Sequence, residues 1–345
     1  MSVFSSPAFE GHEAVHAFHD AGSGLKAIIA IHSTARGPAA GGCRMFPYAD
    51  DQAALDDALR LSRAMSHKNA VADLDLGGGK AVIIGDPRTV KSGPLFEAFG
   101  RSVEAVGGRY WSAEDVGVSP ADLAHARKTT RYVAGLEGHA SASGDPSPVT
   151  AEGVKRGIVL AVHRVLERDL DGVTVAIQGV GHVGAYLAEK LAEAKARLII
   201  ADVDAEAAER VAARTGAVQV GPDEIFDAEA EVFAPCAMGG AISAETIGRL
   251  KARIVAGGAN NQLADPDAAD VLRARGILYA PDYVINAGGS IALVGLERLG
   301  WSEAEVDAAL ARIADTLREV YRRSEREGVS TAAAADALAD ERISA

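Results

Sequence analysis

Residues 173–202 read VTVAIQGVGHVGAYLAEKLAEAKARLIIAD and carry the clearest structural signal in the chain. A strand-like apolar run, Val173–Gln178, leads into the turn Gly179-Val180-Gly181-His182-Val183-Gly184. A helical apolar pattern follows over His182–Lys195, and Arg197–Asp202 is again strand-like. A strand, a Gly-x-Gly-x-x-Gly turn, a helix and a second strand in this order predict a βαβ unit that binds a dinucleotide.

Each glycine of this turn has its own physical reason. Gly179 permits the tight turn, Gly181 lets backbone N–H groups approach a pyrophosphate, and Gly184 lets the helix pack closely on the strand. The phosphates would lie at the helix N-terminus, where unpaired N–H groups and the helix dipole favour negative charge. His182 and Val183 complete the predicted phosphate-binding turn, and His182 is expected to be exposed.

Asp202 ends the second strand, 18 residues after Gly184. A carboxylate at this position accepts hydrogen bonds from the adenosine ribose hydroxyls. Asp204 and Glu206 are nearby and no arginine is present at that turn, so a 2′-phosphate would be repelled. The sequence therefore predicts NAD as the cofactor in preference to NADP.

The alternation of strand-like and helix-like segments extends on both sides of this unit. A helix is predicted over Ala151–Arg168, and strands are predicted over Val232–Ala234, Ile254–Gly257 and Ile277–Ala280. Such alternation predicts an α/β fold with a parallel, doubly wound Rossmann sheet.

The front part of the chain has a different pattern. It predicts a strand, a Gly-rich turn, a helix, a second tight turn and a strand, in this order: Leu25–His32, Gly41-Gly42, a helix capped by Asp50 or Asp51, Gly77–Gly79 and Ala81–Ile84. Between Leu136 and Pro148 the composition changes to Gly, Ser, Ala and Pro, which is typical of a hinge between two domains.

Length and composition limit the classes of function. A chain of 345 residues favours two domains, and its 48% hydrophobic and 24% charged residues are those of a globular protein. The net charge of −13 argues against a nucleic-acid partner, and no apolar stretch is long enough to predict a membrane span. Residues 1–10 do not resemble a secretory signal. Only two cysteines, Cys43 and Cys236, fit a reducing cytoplasm.

Three charged residues of the front part are candidates for chemistry: Lys68, Lys80 and Asp115. Each lies at the end of a predicted element beside turn residues. Lys80 follows three glycines that leave room for a substrate, and apolar residues come directly after it. A lysine in such a place can act as a general acid or base.

Several motifs in order resemble the Glu/Leu/Phe/Val amino-acid dehydrogenases. The front motifs are GGCRM at 41–45, MSHKNA at 65–70, GGGKAVI at 77–83, SAEDVG at 112–117 and DPSPVT at 145–150. The later motifs are APCAMG at 234–239, GANNQ at 258–262 and YAPDYVINAGG at 279–289. The resemblance extends over almost the whole chain.

This resemblance implies a reversible NAD-linked oxidative deamination of an L-amino acid to a 2-oxo acid and ammonia. It implies that Lys68 pairs with the substrate carboxylate, assisted by the backbone at Gly41 and Gly42. Lys80 would polarise the 2-oxo oxygen or activate the attacking water, and Asp115 would exchange protons with the amine and ammonia.

The resemblance also implies residues for the cofactor and a division into domains. Thr150, Asn260 and Asn261 would hold the nicotinamide side, the Cys236-Ala237 backbone would touch the cofactor, and Asn286 would lie close to both ligands. An N-terminal substrate and oligomerisation domain would contain residues 1–135 and about 325–345. The NAD-binding domain would contain residues 136–324. The family is oligomeric, so a homo-oligomer is expected.

The side-chain pocket is expected to be uncharged. Positions that resemble pocket residues are Ala40, Met65, Ala113, Ser290 and Leu293. A glutamate side chain would bury its carboxylate there without a partner, at a cost of roughly several kcal/mol. Ala113 and the neighbouring motifs resemble the leucine enzymes, whereas Ala40 and the stretch Leu293-Val294-Gly295 resemble the phenylalanine enzymes. We expect branched-chain substrates, with phenylalanine as the alternative.

Two alternatives belong to other classes of function. A 2-hydroxy-acid dehydrogenase would need a His–carboxylate pair and an arginine in place of the two lysines, and a non-catalytic NAD-binding regulator could share the fold. His12, His16 and His19 have a spacing that could bring imidazoles together on one helical face, but no ligand set is complete and no metal is predicted. Cys236 is expected to be a packing residue, not a nucleophile.

Overall fold

The computed structural model describes residues 3–136 and 145–345. Over these residues the chain forms two compact units. The first unit contains residues 3–136, 293–302 and 339–345, and the second contains 145–292 and 303–338. Most of the predicted hinge falls on 137–144 and lies outside the described residues. No helix in the described ranges is long and apolar enough to cross a bilayer.

The first unit is an α/β structure around a mixed sheet. Its elements up to residue 136 are β1 (Ala14–Asp20), β2 (Leu25–Ser33), β3 (Ala39–Phe46), α1 (Asp51–Val71), β4 (Gly77–Ile84), α2 (Gly93–Ala105), β5 (Tyr110–Glu114) and α3 (Pro120–Arg127). The strand order is β1-β2-β4-β3-β5. β2 pairs antiparallel with β1 and β4, whereas β3 pairs parallel with β4 and β5.

Helices cover both faces of this sheet. Ile29, Ile31 and Ile83 pack with Phe96 and Phe99 of α2 on one face. On the other face Ala30 and Val82 pack with apolar residues of α1 such as Leu59. Because both faces are buried, the runs Ala27–Ile31 in β2 and Ala81–Ile84 in β4 are continuously apolar instead of alternating.

The glycines of the front part do not form the predicted turns. Gly41 and Gly42 lie inside β3, and Gly77–Gly79 lie inside β4. A β-carbon added at Gly41 would lie 1.9 Å from the carbonyl oxygen of Gly79, and one at Gly78 would lie 2.1 Å from the backbone nitrogen of Ser66 on α1. The glycines are therefore required by the close approach of neighbouring strands and of α1, not by chain reversal.

The histidines near the N-terminus also differ from the helical pattern considered above. His16 and His19 lie in β1, where backbone pairing with β2 fixes an extended conformation. His12 precedes the strand, and its Nε2 lies 3.0 Å from the Leu59 carbonyl oxygen. Among the residues that the structure describes, no group of three or more His, Cys, Asp or Glu is arranged to hold a metal ion.

His32 makes the first unit sensitive to acid. Burial and the neighbouring His12 and His67 lower the pKa of His32 from 6.5 to about 4. Between these values the unfolded chain binds a proton that the folded chain does not, so stability falls as the pH falls. Allowing for solvent screening, we expect the free energy of unfolding to fall between pH 7 and pH 4.5 by about 1–2 kcal/mol more in wild type than in His32→Gln.

Urea unfolding at both pH values measures this difference. His19→Gln is the matched control, because His19 is exposed in the same region and should behave like wild type. Equal losses in all three proteins would contradict the role given to His32.

The second unit is built on a parallel sheet. Its elements are α4 (Ser147–Leu166), β6 (Thr174–Gln178), α5 (His182–Glu193), β7 (Arg197–Ala201), α6 (Ala205–Thr215), β8 (Val218–Gln219), β9 (Val232–Pro235), α7 (Ala244–Arg249), β10 (Ile254–Val255), α8 (Ala268–Ala274), β11 (Leu278–Tyr279), α9 (Asp282–Ile285), α10 (Gly288–Leu293), α11 (Glu303–Glu327) and α12 (Thr331–Ser344). The last residue of α10 and residues 339–344 of α12 group with the first unit. The order β11-β10-β9-β6-β7-β8 reverses direction beside β6, as in doubly wound nucleotide-binding folds. The predicted fold class, two α/β parts with one Rossmann sheet, is confirmed.

The family resemblance predicts that the chain returns to the first domain near residue 325. The compact units divide the C-terminal part at a later residue. The buried stripe of α11, which includes Val306, Ile313 and Leu317, belongs to the second unit, where α11 packs on α4 and α9. Only residues 339–345 of the C-terminal part group with the first unit, where the Arg342 guanidinium donates to the Ala70 and Val71 carbonyl oxygens at 3.2 and 3.1 Å.

Candidate active site

Lys80 and Asp115 meet at the centre of the first unit. Lys80 lies within β4 with its side chain only 7% exposed, and its Nζ lies 2.6 Å from Oδ2 of Asp115. Asp115 directly follows β5, and β3 lies between these two strands. A β-carbon at Gly42 of β3 would lie 2.8 Å from the Asp115 β-carbon. The glycine therefore makes the approach of Asp115 possible.

The backbone around Asp115 is held in a tight turn. The Val118 N–H donates to the Asp115 carbonyl oxygen at 2.9 Å, and the Met45 N–H donates to the Val116 carbonyl oxygen at 2.9 Å. Gly117 has a φ of +79°, and a β-carbon there would lie 2.1 Å from the Met45 carbonyl oxygen. These contacts fix the position of the Asp115 carboxylate.

The surroundings keep Asp115 ionised. Burial alone would raise the pKa of the Asp115 carboxyl, but the charge and hydrogen bond of Lys80 and the charge of Arg44 outweigh it and lower the pKa. Asp115 is thus a carboxylate, and both side chains of the pair are largely withdrawn from solvent.

Four of the predicted substrate-binding residues lie on the strands and the helix around this pair. The position of a β-carbon at Gly41 is 2.9 Å from Cγ of Met65 on α1. Lys68 follows Met65 by three residues on α1, so both side chains lie on one helical face. Ala113 of β5 is paired in register with Gly42. The structure therefore brings Gly41, Gly42, Met65 and Ala113 together.

Two residues that support this site were not singled out from the sequence. Arg44 lies on β3, and its Nε is 3.1 Å from Oδ2 of Asp115. Tyr110 is fully buried, and its hydroxyl donates to the Gly41 carbonyl oxygen at 2.7 Å. A charged arginine between the two buried neighbours Cys43 and Met45 is a sequence signal that could have marked Arg44. Nothing local in the sequence marked Tyr110.

The glycine-rich turn of the second unit matches its predicted geometry. Gly179 has a φ of +92°, and a β-carbon there would lie 2.7 Å from the Ala237 nitrogen. A β-carbon at Gly184 would lie 2.0 Å from the Gly179 carbonyl oxygen, whereas one at Gly181 has no atom within 4 Å. The turn is closed around Gly179 and Gly184 and open at Gly181, which fits a phosphate at the start of α5.

Alanine substitutions should separate these two kinds of glycine. Gly184→Ala should lower stability by about 1–3 kcal/mol, because α5 must move away from the turn. Gly181→Ala should leave stability unchanged and weaken binding of the dinucleotide predicted from the sequence by about tenfold, with NADH as the probe, since the methyl group would occupy space needed by the phosphates. Thermal unfolding and NADH fluorescence titration measure the two effects.

Gly248→Ala is the control, because no atom lies within 4 Å of its added β-carbon and it is remote in sequence from the turn. Wild-type NADH affinity in Gly181→Ala would argue against a phosphate site at this turn.

The other predicted residues of the turn are placed as follows. The Asp202 carboxylate accepts from the Val180 N–H at 2.7 Å and from the Asp204 N–H at 2.9 Å. His182 is exposed, and Val183 is half-buried with its Cγ1 2.7 Å from the position of a β-carbon at Gly258.

Cys236 is a packing residue within the second unit. Its N–H donates to the Gln178 carbonyl oxygen at 2.7 Å, and its Sγ accepts from the Gly258 N–H at 3.3 Å. Burial raises the pKa of the Cys236 thiol to about 12. The thiol therefore stays protonated near neutrality, which fits the packing role expected of it.

The asparagines lie at the end of the sheet. The buried Asn286 donates through Nδ2 to Asn260 Oδ1 at 2.8 Å. Asn261 is exposed with a φ of +53°.

Thr150 and the start of α10 pack together. Thr150 lies in the first turn of α4. A β-carbon added at Gly289, the residue before Ser290, would lie 2.7 Å from the Thr150 Oγ1. Leu293 is the last residue of α10 and groups with the first unit. A β-carbon added at Gly135 would lie 3.5 Å from the Leu293 Cδ1.

Comparisons with known proteins agree with this architecture. Residues 12–132 match the family model described as "Glu/Leu/Phe/Val dehydrogenase, dimerisation domain", and residues 200–345 match "Glutamate/Leucine/Phenylalanine/Valine dehydrogenase". The leucine dehydrogenase of Geobacillus stearothermophilus is 45% identical, over 99% of this chain and 94% of that protein.

Relatives named for aromatic amino acids are similarly close. The phenylalanine dehydrogenase of Bacillus thermotolerans is 44% identical, over 97% of this chain and 89% of that protein. The crystal structure of L-tryptophan dehydrogenase from Nostoc punctiforme superposes with a TM-score of 0.86 at 42% identity, covering 97% of this chain and 96% of that one.

The fold, the lysine–aspartate pair and these relatives define an amino-acid dehydrogenase, an oxidoreductase that acts on CH–NH2 groups. The chain belongs to the Glu/Leu/Phe/Val dehydrogenase family. The resemblance inferred from the motifs is thus confirmed, whereas the relatives do not distinguish an aliphatic from an aromatic substrate.

Proposed function

We propose that this chain catalyses the reversible NAD-linked oxidative deamination of an apolar L-amino acid of the leucine, valine or isoleucine type. The observation that carries the proposal is the buried contact of 2.6 Å between Lys80 and Asp115, beside Gly41, Gly42 and Met65. The products are the 2-oxo acid and ammonia.

The proposed roles follow from the chemistry of the side chains. Lys68 pairs with the substrate carboxylate at the α1 face that also carries Met65. NAD would supply the hydride acceptor for the substrate Cα. The imine carbon so formed must take up water. Lys80 polarises the substrate oxygen as the ammonium or, once its proton has passed to Asp115, takes a proton from the attacking water. Asp115 exchanges the proton of the amine and of ammonia. A separate base and proton carrier are both needed, and the pair supplies them.

For the cofactor we propose NAD, held at Gly179, Gly181 and Gly184, with Asp202 on the adenosine ribose. Asp202→Asn keeps an acceptor for the Val180 N–H and removes the charge that opposes a 2′-phosphate. We expect the variant to show a higher KM for NAD and about tenfold weaker discrimination against NADP. Steady-state kinetics with both cofactors measures this, and an unchanged preference would refute the role of Asp202.

The proposed preference for an uncharged side chain is supported by the residues beside the pair. Met65 and Ala113 are uncharged, and Lys80 and Arg44 both contact Asp115 already. A glutamate side chain would have to bury its carboxylate, at a cost of roughly several kcal/mol. Phenylalanine is the second candidate, because Ala40 resembles the phenylalanine enzymes and relatives named for phenylalanine are 44% identical.

A kinetic panel tests the function. The enzyme is assayed with NADH and the 2-oxo acids of leucine, valine, phenylalanine and glutamate, with and without ammonium. We expect turnover that requires ammonium and is fastest with the branched-chain acids. NADH oxidation at the same rate with and without ammonium would favour a 2-hydroxy-acid dehydrogenase. Tight NADH binding without turnover would favour a non-catalytic NAD-binding regulator.

We also propose a cytoplasmic homo-oligomer. The two free cysteines support a reducing compartment. The match of residues 12–132 to a dimerisation domain supports self-association. Sedimentation analysis of the purified chain tests the second statement, and a monomer at micromolar concentration would contradict it.

A further inference from the structure

Arg44 has no role in the reaction as proposed so far, yet it contacts the catalytic carboxylate. We propose that Arg44 is a positioning residue. It holds Asp115 in place by bridging it to Asp57 on α1, and the Tyr48 hydroxyl holds Asp57 in turn. The inference rests on the proposed function, because it assigns a role within that reaction.

The geometry forms a chain of alternating charges. Lys80 Nζ and Arg44 Nε both donate to the same oxygen of Asp115, Oδ2, at 2.6 and 3.1 Å. The other end of the Arg44 guanidinium donates from NH1 to Asp57 Oδ2 at 3.0 Å. The Tyr48 hydroxyl donates to the same Asp57 oxygen at 2.7 Å.

Charge compensation argues against a substrate-binding role for Arg44. Lys80 and Arg44 supply two positive charges and Asp115 and Asp57 supply two negative charges, and these four side chains are at most 23% exposed. The more exposed Arg60 adds a further cation, with its NH2 2.6 Å from Asp57 Oδ1. Arg44 contacts both carboxylates, so an incoming carboxylate would have to displace Asp115 or Asp57 from its guanidinium.

The reaction gives a reason for a second cation on Asp115. Lys80 must turn towards water and the substrate oxygen during turnover, so its contact with Asp115 is interrupted. Arg44 stays charged at all accessible pH values, and its planar group offers donors in fixed directions. The bridge to Asp57 therefore keeps Asp115 oriented while Lys80 works.

The bridge also has an electrostatic consequence. The positive charge of Arg44 is one of the influences that lower the pKa of Asp115 against the effect of burial. Removing that charge should raise this pKa, in addition to loosening the carboxylate.

Substitutions at position 44 in the full chain test the proposal. Arg44→Met should lower kcat by about 10- to 100-fold and change the KM for the 2-oxo acid by less than about threefold, as expected when a reacting group is misplaced. Arg44→Lys should keep the low kcat, because one ammonium cannot reach both Asp115 and Asp57. Arg88→Met is the control, since Arg88 forms an exposed ion pair with Asp86 in the same unit.

Three results would overturn the proposal: a kcat of Arg44→Met within about twofold of wild type, full recovery in Arg44→Lys, or a raised KM with unchanged kcat. The last would make Arg44 a substrate-binding residue. If Arg44→Met does not fold, Tyr48→Phe keeps every charge and should lower kcat by about two- to fivefold, whereas unchanged kcat would contradict its supporting role.

A second measurement does not depend on turnover. In protein labelled with ¹³C at aspartate carboxyl groups, the Asp115 resonance is identified by its absence in Asp115→Asn. Its titration should move to higher pH in Arg44→Met and remain in place in Arg88→Met. An inactive wild type would refute the proposed function, whereas unchanged titration in Arg44→Met would refute the inference alone.

Discussion

The Lys80→Met variant is expected to fold like wild type and to lose about 10³-fold in kcat for ammonium-dependent reduction of the 2-oxo acid. Methionine has nearly the length of lysine and suits a site in which only 7% of the side chain is exposed. It cannot donate to the substrate oxygen or move a proton. Water has little access to this position, so solvent does not replace the lost group.

Steady-state kinetics measures the loss, and NADH fluorescence titration checks that the glycine-rich turn still binds the cofactor. Lys91→Met is the matched control. Lys91 also pairs with a carboxylate of the first unit, Asp122 at 2.5 Å, but it is placed outside the proposed site. Turnover like that of wild type in Lys80→Met would remove Lys80 from the chemistry.

The second large effect is expected for Asp115→Asn. The amide keeps the volume and can still accept hydrogen bonds from Lys80 and Arg44, but it can no longer take up a proton. We expect kcat to fall by about 10²- to 10³-fold in both directions of the reaction. In wild type the lowered pKa of Asp115 keeps the carboxylate ionised at neutral pH, so it acts as a base until the pH falls through that pKa.

The pH profile of kcat/KM distinguishes this role from a structural one. Asp122→Asn is the control, because Asp122 accepts from the Ser119 N–H at 2.8 Å and caps α3. That variant should lose about 1 kcal/mol of stability and keep its turnover. If Asp115→Asn loses only stability, the carboxylate is not a proton carrier.

Some features could be predicted because their signals are local. The turn at 179–184 was recognised from glycine spacing between a strand and a helix, and the structure has the positive φ at Gly179 and the close packing at Gly184 that this spacing requires. The spacing of Val306, Ile313 and Leu317 in the sequence is that of one face of a helix, and in α11 all three are buried.

Other features were misread because their cause is not local. Gly41, Gly42 and Gly77–Gly79 predicted turns, since glycine is common there. The structure places them in β3 and β4 because strands and α1 approach each other too closely for a β-carbon. The close approach of these elements depends on which strands pair, and the residues next to each glycine in the sequence do not determine that pairing.

The sequence by itself therefore determined the Rossmann unit, its glycine-rich turn and, through a series of motifs, the family. Only the tertiary structure decided that Lys80 meets Asp115, 35 residues away, and that Arg44 bridges Asp115 and Asp57. Periodicity and capping act over a few residues, whereas the contacts of these side chains arise from the parallel pairing of β4, β3 and β5, which joins segments that are distant along the chain.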